Sequence, residues 1–395
     1  MAAFSLRIIL FICGFDTLLS AKILFLFPLP FSSHYRVFTP LIDELASRGH
    51  EITAYTSQHF KRKDLTPNFK EIVVHLGPGA PNLDEIDLLE LGQMSAVQYT
   101  LQEWSTFSAV TEAALKGKEL QDLMASEEKY DLIIMQATTM QESFLAFAHK
   151  FGAPVINLHP FYVSAFVASL MGAPNPLSCV PDFRVPYTDR MNFFQRTHNA
   201  MVGWFDVMHG SLWHLPRQES IMRRLFKYPG SNMLPPLEEL VANVSLHLVD
   251  AHPMMYVRPY SFNVVDVAGM NIKPAKQLPA DIKRFMDEAY EGVIYFSLGS
   301  YIEPKIFKEN AKKVAVTYRD LPQTSLERAI FWVEYVIRHN GAHHLKPASV
   351  GMPLYRYLLL DVMVFWLFII VLVIYVICKL LALAIRRIKS RPIRK

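Results

Sequence analysis

Two short polar segments that follow apolar runs carry residue types suited to group-transfer chemistry. His34 lies in FSSHYR, directly after AKILFLFPLP. An imidazole with a pKa of about 6.5 can take a proton from a hydroxyl near neutral pH. Ser297, Gly299 and Ser300 end the run GVIYFSLGS, and backbone N–H groups of such a Gly–Ser loop can hold an anion. The sequence thus contains a candidate base and a candidate anion-binding loop, far apart in the chain.

The segment around His34 has the pattern of a strand–helix–strand unit. AKILFLFPLP is a continuous apolar run, as in a parallel strand that is covered on both faces. In the following VFTPLIDELASRGH, Val37, Leu41 and Leu45 recur at helical spacing and Gly49 ends the helix. EITAYT is the next strand. The pattern predicts a βαβ unit with His34 at the carboxyl edge of the sheet, where such sheets bind ligands.

The alternation of strands and helices continues to about residue 158. Strands are predicted at Glu71–Leu76, Asp131–Met135 and Pro154–Leu158, with a long helical region at Ser95–Met124. This half of the chain is therefore predicted to be a doubly wound α/β domain. The next region, MNFFQRTHNAMVGWFDVMHGSLWHL, is rich in Met, Phe and Trp, which fits either plain core helices or an apolar pocket or lid.

A second α/β domain begins after residue 270 but does not continue. A linker, a short helix from about Asp281 and the buried strand of GVIYFSLGS are followed by two amphipathic helices, near Lys305–Thr317 and Thr324–Asn340. One strand cannot form a sheet, because a parallel sheet needs several βαβ units.

The two ends of the chain carry apolar segments of different kinds. IILFICGFDTLLSA, preceded by Arg7, is short, is interrupted by Asp16 and ends in small residues, which is typical of a secretory signal peptide. Val362–Cys378 is an uninterrupted run of 17 apolar residues and is predicted to span a membrane. The tail from Lys379 onward has seven basic residues and no acid. By the positive-inside rule the tail is cytoplasmic and the body lumenal.

Charge, cysteines and other motifs exclude several function classes. The formal charge of +4 comes from that tail, since the rest of the chain has 33 basic and 36 acidic residues, so nucleic-acid binding gains no support. Cys179 is the one cysteine predicted for the mature lumenal body, which excludes an internal disulfide there. Asn243 begins an N-x-S acceptor for glycosylation. No metal site is predicted, because Gly341 separates His339 from His343 and His344.

Several motifs together resemble the membrane-bound UDP-glycosyltransferases of animals, and the insect members most closely. They are FPLPFSSH, RGHEITAYT, FAHKFGAPVI, GVIYFSLGS, FWVEYVIRHNGAHHL and YLLLDV. The resemblance implies a GT-B-like α/β fold, with a Rossmann-like N-terminal acceptor domain, a C-terminal donor domain and one C-terminal transmembrane helix. It further implies hexose transfer with inversion from a UDP-sugar co-substrate to small lipophilic hydroxyl acceptors, in the endoplasmic reticulum membrane, without a separate cofactor.

The chain departs from the family pattern on the donor side. The family's WxPQ, His-Pro, Thr-His-x-Gly-Gly and acidic-Gln motifs should follow SLGS, but SLGS runs directly into YIEPKIFKENAKK. We interpret this as excision of a block that leaves the donor domain strongly truncated. Ser297, Gly299 and Ser300 then remain as residual donor-binding residues. Without the rest of the donor site, sugar transfer by this chain is expected to be very low or nil.

The resemblance also assigns roles on the acceptor side. His34 stands where the family has its catalytic base. Many vertebrate relatives have an aspartate where this chain has Gln136, and an amide cannot stabilise an imidazolium by charge. Glu142 lies where insect relatives often have an acid, and it is the predicted carboxylate partner of His34. Asp131 is interpreted as structural.

Two alternatives to a transferase remain open. The chain is either a non-catalytic acceptor-binding or regulatory partner of full-length relatives, as a homo- or hetero-oligomer, or a product of exon skipping or an incorrect gene model. The predicted organisation is a signal peptide (1–21), the acceptor domain (22–270), a linker with the first donor strand (271–300), C-terminal helices (301–357), a transmembrane helix (358–385) and a basic tail (386–395).

Overall fold

The described part of the chain is organised around one parallel sheet. A computed structural model describes residues 20–59, 67–81, 88–138, 140–251, 258–272, 277–289, 322–347, 349–358 and 360–389. Within these residues seven parallel strands lie in the order β3-β2-β1-β4-β5-β6-β7. They are β1 (Lys22–Phe27), β2 (Glu51–Thr56), β3 (Phe69–Val73), β4 (Leu132–Met135), β5 (Val155–His159), β6 (Leu246–Val249) and β7 (Val264–Asp266).

Helices cover both faces of this sheet, as parallel strands require. A π-helical turn lies at Gly210–His214, and short 3₁₀ helices lie at Glu142–Leu145, Ser231–Met233 and His343–Leu345. The α-helices are α1 (Ser32–Ser47), α2 (Leu88–Gln93), α3 (Ala96–Leu115), α4 (Lys118–Ala125), α5 (Ala146–Phe151), α6 (Ala165–Met171), α7 (Phe193–His209), α8 (Leu215–Leu225), α9 (Leu237–Ala242), α10 (Ala280–Asp287), α11 (Ser325–Arg338), α12 (Leu354–Tyr357) and α13 (Leu360–Lys389).

The predicted doubly wound α/β fold is confirmed, and the strand order fixes where a ligand site belongs. The chain first winds from β1 through β2 to β3, and then crosses back to pair β4 with the other side of β1. At the carboxyl ends of this central pair, Leu26 is in register with Met135. Ligands of such sheets bind in the crevice where the strand order reverses. The loops after β1 and β4 therefore border the expected site.

Helix α11 returns from the C-terminal part of the chain and completes one face of the core. The sequence predicted this helix at Thr324–Asn340, and its capping box is formed by Thr324 and Glu327. The α11 residues Ile330, Val333 and Val336 are buried in the same cluster as the apolar side chains of α1. Each such burial stabilises the fold by about 1.5–3 kcal/mol. The helix is thus part of the core of the sheet domain.

Polar contacts fix α11 at both of its ends. Ser325 donates a hydrogen bond from Oγ to the Ala268 carbonyl at 2.7 Å. Arg48, just beyond α1, donates to the buried Glu334 carboxylate at 3.2 Å. An apolar helix face anchored in this way is not left open to solvent.

Other predicted segments differ in their bounds or lie outside the described residues. The strand predicted at Glu71–Leu76 is observed as β3, which begins two residues earlier. The helix near Asp281 is observed as α10. Most of the predicted signal peptide, the strand that ends at Ser300 and the helix near Lys305–Thr317 lie outside the described residues.

Helix α13 matches the predicted membrane span. Its segment Leu360–Leu383, 24 residues, is long and apolar enough to cross a membrane, and its most apolar stretch is not covered by the body of the protein. A span needs about 20 such residues.

Candidate active site

His34 and Gln136 meet at the crevice between β1 and β4. His34 lies in the first turn of α1, directly after the β1 loop, and Gln136 is the first residue after β4. The Nδ1 atom of His34 is 3.1 Å from the Oε1 atom of Gln136. The strand order therefore brings together two residues that are 102 positions apart in the sequence.

The hydrogen bond to Gln136 fixes the protonation pattern of the His34 ring. An amide oxygen only accepts, so Nδ1 carries the proton and donates it, which leaves the Nε2 lone pair free to accept from a ligand. Burial lowers the pKa of His34 to about 4, although the Gln136 hydrogen bond acts in the opposite direction. His34 is therefore a neutral acceptor near pH 7.

Aromatic rings enclose the His34 ring. Phe31 stacks on it with centroids 4.9 Å apart, and Phe161 meets it edge-on at 4.4 Å. Phe107 packs edge-on against Phe31 at 4.9 Å. Phe161 is partly exposed, so the ring cluster is reachable from outside. A small cavity at this point is lined by Phe27, Leu29, Phe31, His34, Gln136 and Gln141.

A buried amide network holds the loop that carries Gln136. Asn157, on β5, accepts at Oδ1 from the backbone N–H groups of Ala137 (2.7 Å) and Thr138 (3.2 Å). Its Nδ2 donates to Thr138 Oγ1 at 2.9 Å and lies 3.1 Å from Nδ1 of His247. Gln136 itself is buried, and its Nε2 has no hydrogen-bond partner among the described residues. The amide oxygen is thus paired with His34, and both N–H donors of Nε2 are available.

Glu142 does not partner His34 in the structure. Its Oε2 accepts from Nε2 of His214 at 2.9 Å, and both side chains are almost fully buried. The Trp104 ring packs on His214 with centroids 4.8 Å apart. The predicted His34–Glu142 pairing therefore gives way to His34–Gln136, because Glu142 starts a 3₁₀ helix that faces the α7–α8 turn instead. No sequence signal singled out His214.

A strained residue lies between these two histidine sites. Met140 has a φ of 58°, a left-handed conformation that is uncommon for a residue other than glycine. Its carbonyl accepts from Thr111 Oγ1 at 2.8 Å and from Gln218 Nε2 at 3.0 Å. Its side chain packs with Trp104 and Phe166, next to Phe107. Such conformations persist where the surroundings hold them, often at binding sites.

The other predicted site residues are placed as follows. Asn243 is exposed and ends α9, while Ser245 of its N-x-S motif is fully buried. Ser297, Gly299 and Ser300 lie outside the described residues.

Comparison with known proteins gives a consistent set of relatives. A family model described as UDP-glucoronosyl and UDP-glucosyl transferase matches residues 21–305 and 301–395. UDP-glycosyltransferase UGT5 of Dactylopius coccus is 26% identical over 491 residues, covering 91% of this chain and 91% of that protein. The 2-hydroxyacylsphingosine 1-beta-galactosyltransferase of Rattus norvegicus is 28% identical over 347 residues, covering 84% of this chain and 58% of that protein.

A solved structure with a distant likeness is Arabidopsis thaliana UGT89C1 complexed with UDP, at 13% identity and a TM-score of 0.36. The structural alignment covers 77% of this chain and 65% of the plant protein. The chain thus spans less than two thirds of the length of the rat and plant proteins. The alignment to UGT5 is longer than the 395 residues of the chain, so UGT5 has residues for which this chain has no counterpart. The two parts of the family match meet at residues 301–305, directly after Ser300.

Proposed function

Because the chain belongs to the UDP-glucoronosyl and UDP-glucosyl transferase family, we propose that it binds a small lipophilic hydroxyl compound at His34 but transfers sugar to it very slowly or not at all. The family membership confirms the resemblance inferred from the motifs. The observation that carries the proposal is the neutral His34–Gln136 pair at the crevice of the sheet.

The aromatic surroundings of His34 support acceptor binding. The rings of Phe31, Phe107 and Phe161 offer apolar faces, and the free Nε2 of His34 can accept a hydrogen bond from a hydroxyl. Pockets that bind small molecules commonly combine apolar walls with a few placed polar groups. Apolar rings beside one hydrogen-bond acceptor are the groups that would recognise a phenol or a similar flat hydroxyl compound.

Sugar transfer would use the same Nε2 atom of His34 and the same acceptor hydroxyl. His34 Nε2 takes the hydroxyl proton as the acceptor oxygen bonds to the anomeric carbon, and the bond from that carbon to UDP breaks, so that UDP leaves with the electron pair from the opposite face. This gives inversion. His34 then becomes an imidazolium, which a carboxylate partner would stabilise by charge but Gln136 cannot. The low pKa of His34, about 4, further weakens it as a base.

The donor side also favours slow transfer. UGT5 has residues for which this chain has no counterpart, and the family match falls into two parts, residues 21–305 and 301–395. Donors that stabilise a leaving group are commonly worth about 10²–10³ in rate when removed singly. Loss of several is expected to abolish measurable turnover.

The test uses the full chain in proteoliposomes with 4-methylumbelliferone as acceptor and labelled UDP-glucose as donor. We expect saturable binding of the acceptor, weakened about 2- to 10-fold in Phe161→Ala because an edge-on aromatic contact is lost. Phe262→Ala, an exposed ring at the opposite end of the sheet, is the control and should bind normally. Turnover should equal that of His34→Ala.

Each part of the proposal has its own contrary result. Turnover above the His34→Ala level would overturn the claim of slow transfer. Absence of saturable acceptor binding, or equal weakening by Phe262→Ala, would overturn the assignment of the acceptor site. Tight binding of UDP by the purified chain would show that the donor side is intact.

Residence in the endoplasmic reticulum membrane with a lumenal body is part of the same proposal. It is supported by α13, by the basic tail and by the exposure of Asn243. Expression in microsomes should give a mass shift that endoglycosidase H removes and that Asn243→Gln abolishes. Digestion of the body by protease added to sealed microsomes would contradict a lumenal location.

A further inference from the structure

Helix α7 is apolar on the face that points away from the protein. Phe194, Met201 and Met208 recur every seven residues and are 80%, 62% and 47% exposed, and Trp204 beside them is 52% exposed. Residues at this spacing share one face of a helix. The face continues into the π-helical turn, where Leu212 and Trp213 are also exposed. We call these six residues the α7 stripe: Phe194, Met201, Trp204, Met208, Leu212 and Trp213.

The buried face of the same helix mixes polar, small and apolar residues, namely Asn199, Val202, Gly203, Asp206 and Val207. Asp206 accepts at Oδ1 from the Arg184 guanidinium at 2.9 Å and at Oδ2 from the backbone N–H of Phe166 at 2.8 Å. Asn199 donates to the carbonyls of Leu177 and Val180 at 2.7 and 2.9 Å.

Two glycines of this buried face, seven residues apart, let the helix approach the body closely. A Cβ at Gly203 would collide with Leu177, and one at Gly210 with Phe166. These contacts fix the rotation of α7. The stripe therefore faces outward because the other face is locked inward by polar and close-packed contacts.

Charge around the stripe points to an anionic surface. Between Arg190 and Gln218 the sequence has one acid, Asp206, which is buried and paired with Arg184, and Asp189 and Glu219 flank this range. Arg190, Arg196 and Arg217 are exposed. Near an anionic lipid surface each such residue contributes about 1 kcal/mol of attraction. Exposed Trp and Phe side chains next to basic residues are typical of helices that lie in a membrane interface.

The membrane tether begins on the neighbour of α7. Gly172 ends α6, which packs against α7. Ser349 donates to the Gly172 carbonyl at 2.6 Å, and Leu360 begins the membrane helix α13. Eleven residue steps separate Ser349 from Leu360 and reach at most about 40 Å when fully extended. This part of the body cannot leave the vicinity of the bilayer that holds α13.

We propose that the α7 stripe lies in the interface of the phospholipid bilayer spanned by α13. The chain then contacts its membrane at two places, the span itself and this surface helix. The stripe belongs to neither the His34 site nor the core, so the inference does not depend on the proposed acceptor site. It rests on the part of the proposed function that places α13 in a membrane.

The test is site-directed spin labelling of the full chain in vesicles of phosphatidylcholine and phosphatidylserine. In a background with Cys13, Cys179 and Cys378 replaced by Ser, one label is attached at Met201→Cys and a control label at Lys118→Cys, an exposed position on α4. Collision rates with oxygen, which partitions into lipid, and with a water-soluble nickel chelate are measured. Met201→Cys should collide more with oxygen, and Lys118→Cys more with nickel.

Further variants separate the membrane from other occupants. A second label at Met208→Cys should reproduce the oxygen preference, and Phe194→Glu with Trp204→Glu should shift the Met201→Cys label towards nickel. Nickel preference at both stripe positions would show a water-exposed face and overturn the proposal. Protection from both reagents, or dipolar broadening between labels, would show a protein interface and overturn it equally.

Discussion

The two histidine sites on either side of Met140 differ in what they pair with and in how far they are buried. His34 contacts the amide of Gln136 at 3.1 Å beside a cavity, whereas His214 contacts the carboxylate of Glu142 at 2.9 Å deep in the core. The sequence assigned the carboxylate to His34. An acid close in sequence to a candidate catalytic position can thus be used by the fold, which leaves His34 with a neutral partner.

The largest expected effect comes from removing the buried carboxylate. Glu142→Ala leaves the Nε2–H of His214 without a partner in the core, so the free energy of unfolding should fall by about 2–5 kcal/mol. Urea unfolding in detergent micelles, followed by tryptophan fluorescence, measures it. Glu142→Gln keeps an acceptor and should lose less.

A matched control for Glu142→Ala exists on the surface. Glu119 also contacts a histidine, His75, at 2.9 Å, but His75 is largely exposed. Glu119→Ala should cost about 0–1 kcal/mol. Equal losses for Glu119→Ala and Glu142→Ala would contradict the assignment of a structural role to the buried pair.

The second prediction concerns the pH dependence of stability at His247, a buried histidine whose Nδ1 atom lies 3.1 Å from the Asn157 amide. Burial lowers the pKa of His247 to about 3. The unfolded chain binds this proton near pH 6.5 and the folded chain only near pH 3. The stabilising contribution of the neutral ring is therefore complete above about pH 6.5 and falls by about 1.4 kcal/mol per pH unit as the pH decreases between these values.

The variant His247→Gln isolates that contribution. The difference in unfolding free energy between the original chain and His247→Gln should shrink with this slope below about pH 6.5. A pH-independent difference for His247→Gln would contradict the lowered pKa.

The smallest effect on stability, but the most specific one, is expected from Gln136→Asp. A carboxylate on the side of the His34 ring that now faces Gln136 should raise the pKa of His34 by about 1–3 units from its value near 4. The His34 ring signals in a pH titration by NMR measure this, with Gln141→Glu as the control for added charge at the same cavity. An unchanged pKa would show that residue 136 does not contact His34.

Gln136→Asp also tests whether the neutral partner of His34 limits turnover. It gives His34 a charged partner and leaves the donor side as it is. If transfer is slow because the donor side is incomplete, as proposed above, turnover in this variant should stay at the His34→Ala level. Turnover that rises with Gln136→Asp alone would place the defect at His34 instead.

Helices α7 and α11 show that helical periodicity predicts a helix but does not predict which of its faces is buried. For α11 the apolar side chains recur at helical spacing and are buried, with a capping box at its start, so sequence and structure agree within about two residues at each end. For α7 the same kind of apolar pattern led to predictions of a core helix, a pocket or a lid. In the structure its stripe is exposed, because Arg184 and two glycines decide which face turns inward.

The sequence by itself determined the parallel α/β architecture, the place of His34 after the first strand, the long apolar helix near the C-terminus and the family. Continuous apolar strands, helical spacing and local motifs are short-range signals that need no knowledge of the fold. Only the tertiary structure decided that His34 meets Gln136, that Glu142 serves His214 and that α11 completes the core of the sheet domain. Each of these contacts joins residues 70 or more positions apart. The strand order and the direction in which each helix packs decide which partner a buried polar group contacts. Neither can be predicted from any single segment of the sequence.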